Sequence, residues 1–320
     1  MIPKNTQKKS LTTLVKWVVA AIAFVVILSE LSKVPQKDWW SALRLHFLSG
    51  DGWNWFLMAG LLIPVNWGIE ALKWQRMIRR IEPISFGTAF RAVLGGVTVS
   101  LFTPNRTGEF AGRVLVLEPH HRVTASLVTV AQSFSQLLVT LLAGTSALFF
   151  FPGETGYRLA PLYVVLLGVC VISIILYFGL GKIAARLSRF RAWNRWQRYV
   201  APLSDYSFRE LLFVLLLSLM RYLVFIVQFY LLLRFFGVGV GFSDALSRIA
   251  LVYLAGLWIP SFAFTEPLTR AGMAVVLFQD VTLQTEEVVF ATSVLWMLNL
   301  LLPALFGCFT VYRKPAPLAT

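Results

Sequence analysis

The chain has 320 residues, of which 58% are hydrophobic and only 14% are charged. Soluble domains average about 25% charged residues, so this composition excludes a soluble protein and a disordered chain. The formal net charge of +14 would suit a nucleic-acid-binding protein, but the basic residues stand in blocks between long apolar runs. The sequence therefore predicts an all-α polytopic integral membrane protein with a single transmembrane domain over residues 1–320.

Six apolar runs have about 20 residues, the length that an α-helix needs to cross a bilayer. The first follows three lysines and lacks the small-residue cleavage site of a signal peptide, so we expect it to be retained. The six predicted spans lie at about residues 14–28, 53–72, 125–151, 159–180, 211–236 and 288–311.

Two further apolar stretches, residues 84–117 and 248–278, are each interrupted near the middle by Pro, Gly and a charged pair. Each stretch either crosses the membrane once or enters, breaks and returns to the same side. Lys and Arg concentrate in cytoplasmic segments, and the highly basic loop 181–210 is cytoplasmic only if the first stretch makes no net crossing. The same count requires the second stretch to return if Arg313 and Lys314 are cytoplasmic.

We therefore predict two oppositely oriented re-entrant elements, one in each half of the chain. The first half covers about residues 1–180 and its element opens to the cytoplasm, whereas the second half covers about residues 211–314 and its element opens to the exterior. Both chain termini are expected in the cytoplasm, and the expected location is the bacterial inner membrane.

The two interrupted stretches share a helix breaker followed by Glu-x-x-x-Arg, at Glu109 and Arg113 and again at Glu266 and Arg270. This separation places both side chains on one helix face, and Pro267 suits a first helical turn. We expect two half-helices whose N-terminal ends face a cavity suited to phosphate or carboxylate. Opposed broken helices of this kind are typical of transporters with a midplane site.

Other polar residues inside the apolar segments have competing interpretations. A charged residue there costs at least about 2.5–3.5 kcal/mol, so we expect Arg221 to face the protein interior, toward Glu266 or a lipid phosphate. The Glu–Arg motifs could instead be structural ion pairs that need no ligand. Glu70 with Lys73 fits a helix-end ion pair, and the polar residues of the third span fit interhelical hydrogen bonds.

The candidate lipid- or substrate-binding residues follow from these patterns. The main candidates are Thr103, Pro104, Gly108, Glu109, Arg113, Arg221, Ser261, Thr265, Glu266 and Arg270. The secondary candidates are Asn66, Glu70, Gln132, Gln136 and Asn299.

No motif for nucleotide hydrolysis, a serine nucleophile or a zinc protease is present in the sequence. Cys170 and Cys308 lie in apolar runs, and His120 and His121 fit a solvated or headgroup-facing pair. We therefore expect no enzymatic activity, no cofactor and no metal site.

At these motifs the sequence resembles the transmembrane flippase domain of lysylphosphatidylglycerol synthase-type proteins. The resemblance implies a role in moving or exposing a phospholipid or isoprenoid-linked lipid between leaflets. Such proteins carry a soluble aminoacyl transferase domain after the membrane part, and this chain ends at Thr320, so that synthetic activity is expected to be absent. The resembling residues are Asn66, Trp67, Glu70, Lys73, Trp74, Thr103, Pro104, Gly108, Glu109, Arg113, Pro260, Ser261, Thr265, Glu266, Arg270, Trp296, Asn299, Pro303 and Gly307.

The chain departs from the family pattern in two places. Gln132, Ser133 and Gln136 stand where related proteins often have Glu-Arg and Asp. Pro267 follows Glu266 where relatives more often have a Leu-Gly pair. These departures leave the headgroup and the coupling mechanism open.

The leading prediction is a lipid translocator, in which an anionic headgroup enters a polar cavity between the re-entrant elements and the acyl chains stay in the bilayer. Arg113, Arg221 and Arg270 would neutralise phosphate, while Glu109 and Glu266 would hold these arginines or accept an ammonium group. The alternatives are a secondary transporter for a small anionic solute and a non-transporting accessory protein of a lipid-modifying enzyme. The expected partners are membrane phospholipids with anionic headgroups, not nucleic acid; a homo-oligomer and a partner enzyme are left open.

Overall fold

The structure, a computed structural model, describes residues 47–48, 52–103, 106–149, 160–187, 196–259 and 265–311. These ranges are predominantly helical and contain no strand, which confirms the all-α fold class. The predicted first span at about residues 14–28 lies outside the described residues. Two candidate site residues, Pro104 and Ser261, also lie outside them.

Twelve α-helices follow one another along the described part of the chain. A 3-10 helix covers Ala201–Asp205, and a π-helical segment covers Met297–Leu301. The α-helices are α1 (Trp53–Ile78), α2 (Phe86–Ser100), α3 (Gly108–Val114), α4 (Arg122–Phe149), α5 (Ala160–Phe178), α6 (Leu180–Leu187), α7 (Gln197–Val200), α8 (Phe208–Phe235), α9 (Phe242–Gly256), α10 (Glu266–Phe278), α11 (Thr285–Trp296) and α12 (Leu302–Val311).

Five helical segments of the described chain are long and apolar enough to cross a membrane. They match five of the predicted spans, with ends that differ by several residues. α5 is the most apolar of them, with a mean hydropathy of 2.5, and side chains such as Val164 and Ile175 are exposed on its surface, as expected of a lipid-facing helix. The five segments are Trp53–Ile78, Arg122–Phe149, Pro161–Phe178, Phe208–Phe235 and Thr285–Phe309.

The first interrupted stretch folds as a hairpin of two packed helices, α2 and α3. The helical conformation is interrupted between Ser100 and Gly108, and the two ends of the stretch lie side by side. Oε2 of Glu82 accepts the backbone N–H of Glu118 at 3.1 Å and lies 2.9 Å from Nδ1 of His121. The stretch therefore returns to the end of the bundle from which it started.

The second interrupted stretch folds in the same way, as α9 and α10. Nη2 of Arg248, in α9, lies 2.6 Å from Oδ2 of Asp280, which follows α10. This hydrogen bond from the guanidinium lowers the pKa of the Asp280 carboxyl. The start and the end of the second stretch are thus also joined.

The two hairpins start from opposite ends of the bundle. Arg80, just after α1, donates two hydrogen bonds of 2.7 and 2.9 Å from Nη2 to the Glu210 carboxylate in the first turn of α8, so α1 and α8 run antiparallel. The first hairpin follows this end, whereas the second follows the C-terminal end of α8. α2 and α9 have 15 residues each, a rise of about 22 Å that is too short for a hydrocarbon core of about 30 Å. This geometry supports the inverted arrangement, and the membrane topology of each hairpin stays a prediction.

Close helix packing at Gly307 leads to a first prediction. Thr98 of α2 donates from Oγ1 to the backbone carbonyl of Ala304 at 2.7 Å, and a Cβ at Gly307 would overlap this hydroxyl and the Leu94 carbonyl. We expect Gly307→Ala to destabilise the fold by about 1–3 kcal/mol, because α2 and α12 would have to separate. Thermal unfolding in detergent micelles measures this loss.

The matched control is Gly60→Ala in α1, where a Cβ would meet nothing within 4 Å. Alanine is the better helix former by up to about 1 kcal/mol, so this variant should unfold at the same temperature or higher. Equal melting temperatures for the two variants would contradict the packing argument.

Candidate functional site

A cavity of about 220 Å³ lies where the long helices meet the tips of both hairpins. Its mid-helix lining places it near the middle depth of the predicted spans. Leu257, at the end of α9, lines the cavity and is 40% exposed, so the cavity reaches the molecular surface there. The polar and aromatic lining includes the mid-helix residues Trp67, Gln136, Arg221 and Asn299 and the hairpin-tip residues Arg106, Glu266 and Arg270.

Glu70 is the centre of an ion network beside this cavity. Its carboxylate is 3.1 Å from Nζ of Lys73, 2.8 Å from Nη1 of Arg113 and 3.0 Å from Nη1 of Arg221. Gln132 Nε2 also donates to it at 2.9 Å. The predicted Glu70–Lys73 pair is present, but it is buried within the bundle and connects α1 to α3, α4 and α8.

Arg221 joins the ion network to the wall of the cavity. Its Nε donates to Oδ1 of Asn66 at 2.8 Å, and its guanidinium lies over the Trp67 ring at 5.2 Å from the ring centroid. Asn66 in turn donates from Nδ2 to Oδ1 of Asn299 at 2.7 Å. The π-helical segment that carries Asn299 is therefore hydrogen-bonded to α1 and, through it, to Arg221.

The carboxylate partner of Arg221 is Glu70, which was not among the alternatives considered for Arg221. Glu266, one of the two alternatives for Arg221 beside a lipid phosphate, pairs with Arg270 one helical turn further along α10, with 2.5 Å between Oε1 and Nη2. Glu266 pairs with a residue four positions away on its own helix, whereas Glu70 of α1 pairs with Arg221 of α8. Arg221 therefore faces the protein interior, as expected, but its carboxylate partner is Glu70 and not Glu266.

Both Glu-x-x-x-Arg motifs form ion pairs within their helices, but the two arginines differ in exposure. Arg113 pairs with Glu109, is 1% exposed and does not line the cavity. The Arg270 side chain is 32% exposed, lines the cavity and lies 5.5 Å from the centroid of the Tyr253 ring. The first motif thus belongs to the buried network, while the second faces the cavity.

Arg106, in the break of the first hairpin, is a cavity residue that sequence reasoning missed. Among the described residues it is the one non-glycine residue with a positive φ, 57°. This left-handed conformation costs roughly 1–2 kcal/mol for a residue with a Cβ. Nη2 of Arg106 lies 3.9 Å from Oε2 of Glu109, three residues along the chain, and that spacing was the available signal.

Six cavity-lining residues each leave one buried polar side-chain atom without a hydrogen-bond partner in the described part of the chain. Leaving such an atom unpaired costs about 1–3 kcal/mol, so buried polar atoms are normally paired. Five of the six can donate, which suits an occupant rich in hydrogen-bond acceptors. The atoms are Trp67 Nε1, Trp296 Nε1, Tyr222 Oη, Tyr253 Oη, Arg106 Nε and Gln136 Oε1.

The charges of the cavity and the network do not balance. Three carboxylates face five cations among the described residues, so two positive charges remain without a carboxylate of their own. Unbalanced charge is costly away from water, and the arrangement therefore favours an anion in the cavity. The carboxylates are Glu70, Glu109 and Glu266, and the cations are Lys73, Arg106, Arg113, Arg221 and Arg270.

Of the remaining candidate residues, Gln136 lines the cavity, whereas Thr103, Gly108 and Thr265 lie at the helix ends near it. Thr103 Oγ1 accepts the backbone N–H of Gly108 at 2.7 Å, and a Cβ on this glycine would overlap Thr103. Thr265 occupies the N-cap position of α10. Gln136 lines the cavity and donates to the backbone carbonyl of Ser218 at 3.4 Å, one of the interhelical hydrogen bonds predicted for α4.

A second cluster lies at the end of the first hairpin. Ligand atoms of Glu118, His120 and His121 lie within 4.8 Å of one another, close enough to hold a metal ion, although no metal site was predicted from the sequence. Arg80 and Arg198 line the same depression as the two histidines. Their positive charges oppose cation binding at this surface.

The spans and the charged mid-depth cavity define a polytopic integral membrane protein with a polar site among its helices. Residues 13–307 match the family model of the lysylphosphatidylglycerol synthase transmembrane region, and the chain belongs to this family. The match confirms the resemblance drawn from the motifs and points to a membrane domain involved in lipid handling. No curated protein and no solved structure matches the chain.

Proposed function

We propose that this protein moves an anionic lipid between the two leaflets of its membrane, with the headgroup passing through the charged cavity. The observation that carries the proposal is a cavity near the middle of the spans whose charged lining residues, three arginines and one glutamate, leave an excess of positive charge. A lipid-facing helical bundle has no structural need for such a cavity, because polar groups at this depth are expensive. The acyl chains stay in the surrounding bilayer, and no chemical step is involved.

The two hairpins supply the geometry for access from both sides. They start from opposite ends of the bundle, and both tips contribute to the cavity lining, Arg106 from the first and Glu266 with Arg270 from the second. Opposed broken helices around one site are the arrangement through which transporters expose a site alternately to each side. In the proposal, small movements of the hairpins open the cavity toward one leaflet at a time.

The three predicted phosphate-binding arginines have different roles in this proposal. Arg270 and Arg221 line the cavity and contact the headgroup. Arg113 is enclosed by two carboxylates and holds Glu109 and Glu70 in position. Arg106, with a side chain that is 30% exposed, takes the place that Arg113 had in the sequence-based prediction.

Lipid exchange in reconstituted vesicles tests the proposal. The vesicles contain an anionic lipid with a fluorophore on one acyl chain, and a membrane-impermeant reagent quenches the outer leaflet. We expect quenching to stop near one half without protein and to approach completion with it. The double variant Glu266→Gln/Arg270→Gln removes both partners of a cavity ion pair. It should slow the quenching of lipid that starts in the inner leaflet at least about tenfold, the loss expected for a charge-assisted contact.

The matched control removes the exposed ion pair outside the cavity, in the double variant Arg80→Gln/Glu210→Gln, and should exchange lipid at the normal rate. Quenching that stops at one half with and without protein would overturn the proposal. Release of entrapped phosphate without lipid exchange would identify a carrier of small soluble anions instead. If the Glu266→Gln/Arg270→Gln variant exchanges lipid as fast as the parent protein, the cavity is not the route.

A further inference from the structure

We infer that the cavity selects a lipid whose headgroup ends in a phosphate with two negative charges, a phosphomonoester or a diphosphate, over a phosphodiester or an amine-bearing headgroup. This inference rests on the proposed function and specifies its substrate. It follows from three features of the cavity: its net positive charge, its unpaired hydrogen-bond donors and the ion pairs that already engage the carboxylates.

The charge balance favours a dianion. The cavity and its network carry two more cations than carboxylates among the described residues. A phosphodiester neutralises one of these charges, whereas a phosphomonoester above its second pKa of about 6 neutralises close to two. Because charge away from water is costly until it is compensated, the second negative charge should strengthen binding.

The unpaired donors favour a terminal phosphate. Two indole N–H groups, two phenol hydroxyls and Nε of Arg106 lack partners in the described part of the chain. These atoms are buried, and they belong to residues that line the cavity. A terminal phosphate presents three non-ester oxygens to such donors, and a phosphodiester presents two. Hydrogen bonds to a charged acceptor are stronger than neutral ones, so these donors gain more from the terminal group.

The carboxylates disfavour an amine. Both acidic residues at the hairpin tips are already engaged, Glu266 by Arg270 and Glu109 by Arg113, with Arg106 3.9 Å away from the latter carboxylate. Among the described lining residues, the unpaired acceptors are Oε1 of Gln136 and the two phenol oxygens, and none of these carries a negative charge. An ammonium group in the cavity would therefore meet guanidinium groups without a free carboxylate to pair with.

The size of the cavity fits a headgroup without its chains. A volume of about 220 Å³ is more than ten times the roughly 10–15 Å³ that a cavity needs to hold one water molecule, so it accommodates a phosphate or a diphosphate. The exposed position of Leu257 gives the lipid backbone a path from the cavity to the apolar surface. Inorganic phosphate has the same charge and the same acceptor oxygens, so the test must distinguish it from a phosphate attached to a lipid.

Binding measurements on the full chain in zwitterionic micelles test the inference. The probes are dioctanoyl phosphatidate, dioctanoyl phosphatidylglycerol and inorganic phosphate at pH 8, titrated calorimetrically. We expect phosphatidate to bind about tenfold more tightly than phosphatidylglycerol, since one additional charge-assisted hydrogen bond contributes about that much. Inorganic phosphate should compete with phosphatidate but bind more weakly than the lipid.

Arg106→Gly is the informative variant, because glycine adopts a positive φ without strain and the fold should be kept. It should reduce the preference for phosphatidate to less than about threefold. Arg234→Gln, which removes a guanidinium that lies over the Trp55 ring at the end of α8, should keep the full preference. Equal affinities for the two lipids, or a preference that survives Arg106→Gly, would overturn the inference.

Exchange of phosphatidate and phosphatidylglycerol between the leaflets of vesicles distinguishes failure of the inferred selectivity from failure of the proposed function. Equal exchange of phosphatidate and phosphatidylglycerol would overturn the dianion preference and leave lipid transport standing. Exchange of neither lipid would overturn transport itself. Inorganic phosphate binding as tightly as phosphatidate would show that the cavity takes a free anion, which also overturns the inference.

Discussion

Glu70→Gln should destabilise the protein by roughly 3–5 kcal/mol, the loss expected when one partner of a buried ion pair is removed. The substitution keeps the size of the side chain but leaves Lys73, Arg113 and Arg221 around a neutral group. Three cations from three helices then repel one another inside the helical bundle. Chemical or thermal unfolding in detergent micelles, followed by circular dichroism, measures the loss.

A surface carboxylate provides the matched comparison. Glu210→Gln breaks the exposed pair with Arg80 but keeps a residue that can complete the capping box with Ser207. Exposed pairs contribute at most about 1 kcal/mol, so this variant should unfold nearly as the parent does. Combining Glu70→Gln with Lys73→Met removes a cation together with the carboxylate and should recover part of the stability. Parent-like unfolding of Glu70→Gln would show that Glu70 is not the centre of the network.

Arg221→Gln should slow lipid exchange by roughly 10- to 100-fold in the vesicle assay, because a hydrogen bond to a charged group contributes about 1.5–3 kcal/mol. Arg221 borders the cavity and is also bound to Glu70 and Asn66, so the variant loses a headgroup contact and the positioning of its neighbours. Rates are compared at equal amounts of folded protein in the vesicles, which separates transport from stability.

Two further variants define what Arg221 does. Arg221→Lys keeps the positive charge but lacks the planar fork of the guanidinium, so it should recover the rate only in part. Arg234→Gln lies on the same helix, away from the cavity, and should exchange lipid as the parent does. An exchange rate for Arg221→Gln that equals the rate for Arg234→Gln would remove Arg221 from the transport route.

The spans were predictable from the sequence because each depends on one continuous apolar run, and five of them lie in the described residues. The two breaks were also predictable, since Pro, Gly and paired charges interrupt each apolar stretch and an uninterrupted helix would not accommodate them easily. The opposite directions of the hairpins followed from where Lys and Arg are concentrated. These features are local in the chain or depend on simple counting along it.

The ion network was not predictable in the same way. The spacing of Glu70 and Lys73 is common at helix ends, and nothing near them in the chain indicates Arg113 or Arg221 as partners. Tyr222 and Tyr253 belong to no motif in the sequence. That their hydroxyls lack partners within the described part of the chain is visible only when the helices are assembled. Arg106 was missed because its position depends on a backbone conformation that arginine seldom adopts.

The Glu70–Lys73 pair also bears on how the protein is made. Asn66 and Arg221 are 155 residues apart, so α1 is synthesised long before α8 can supply Arg221. A lone carboxylate would then have to enter the bilayer without a distant partner. Lys73 lies three residues from Glu70 and emerges from the ribosome almost with it, so α1 can enter the membrane as a neutral pair. The ion pair that later anchors the network thus first serves the insertion of the helix that carries it.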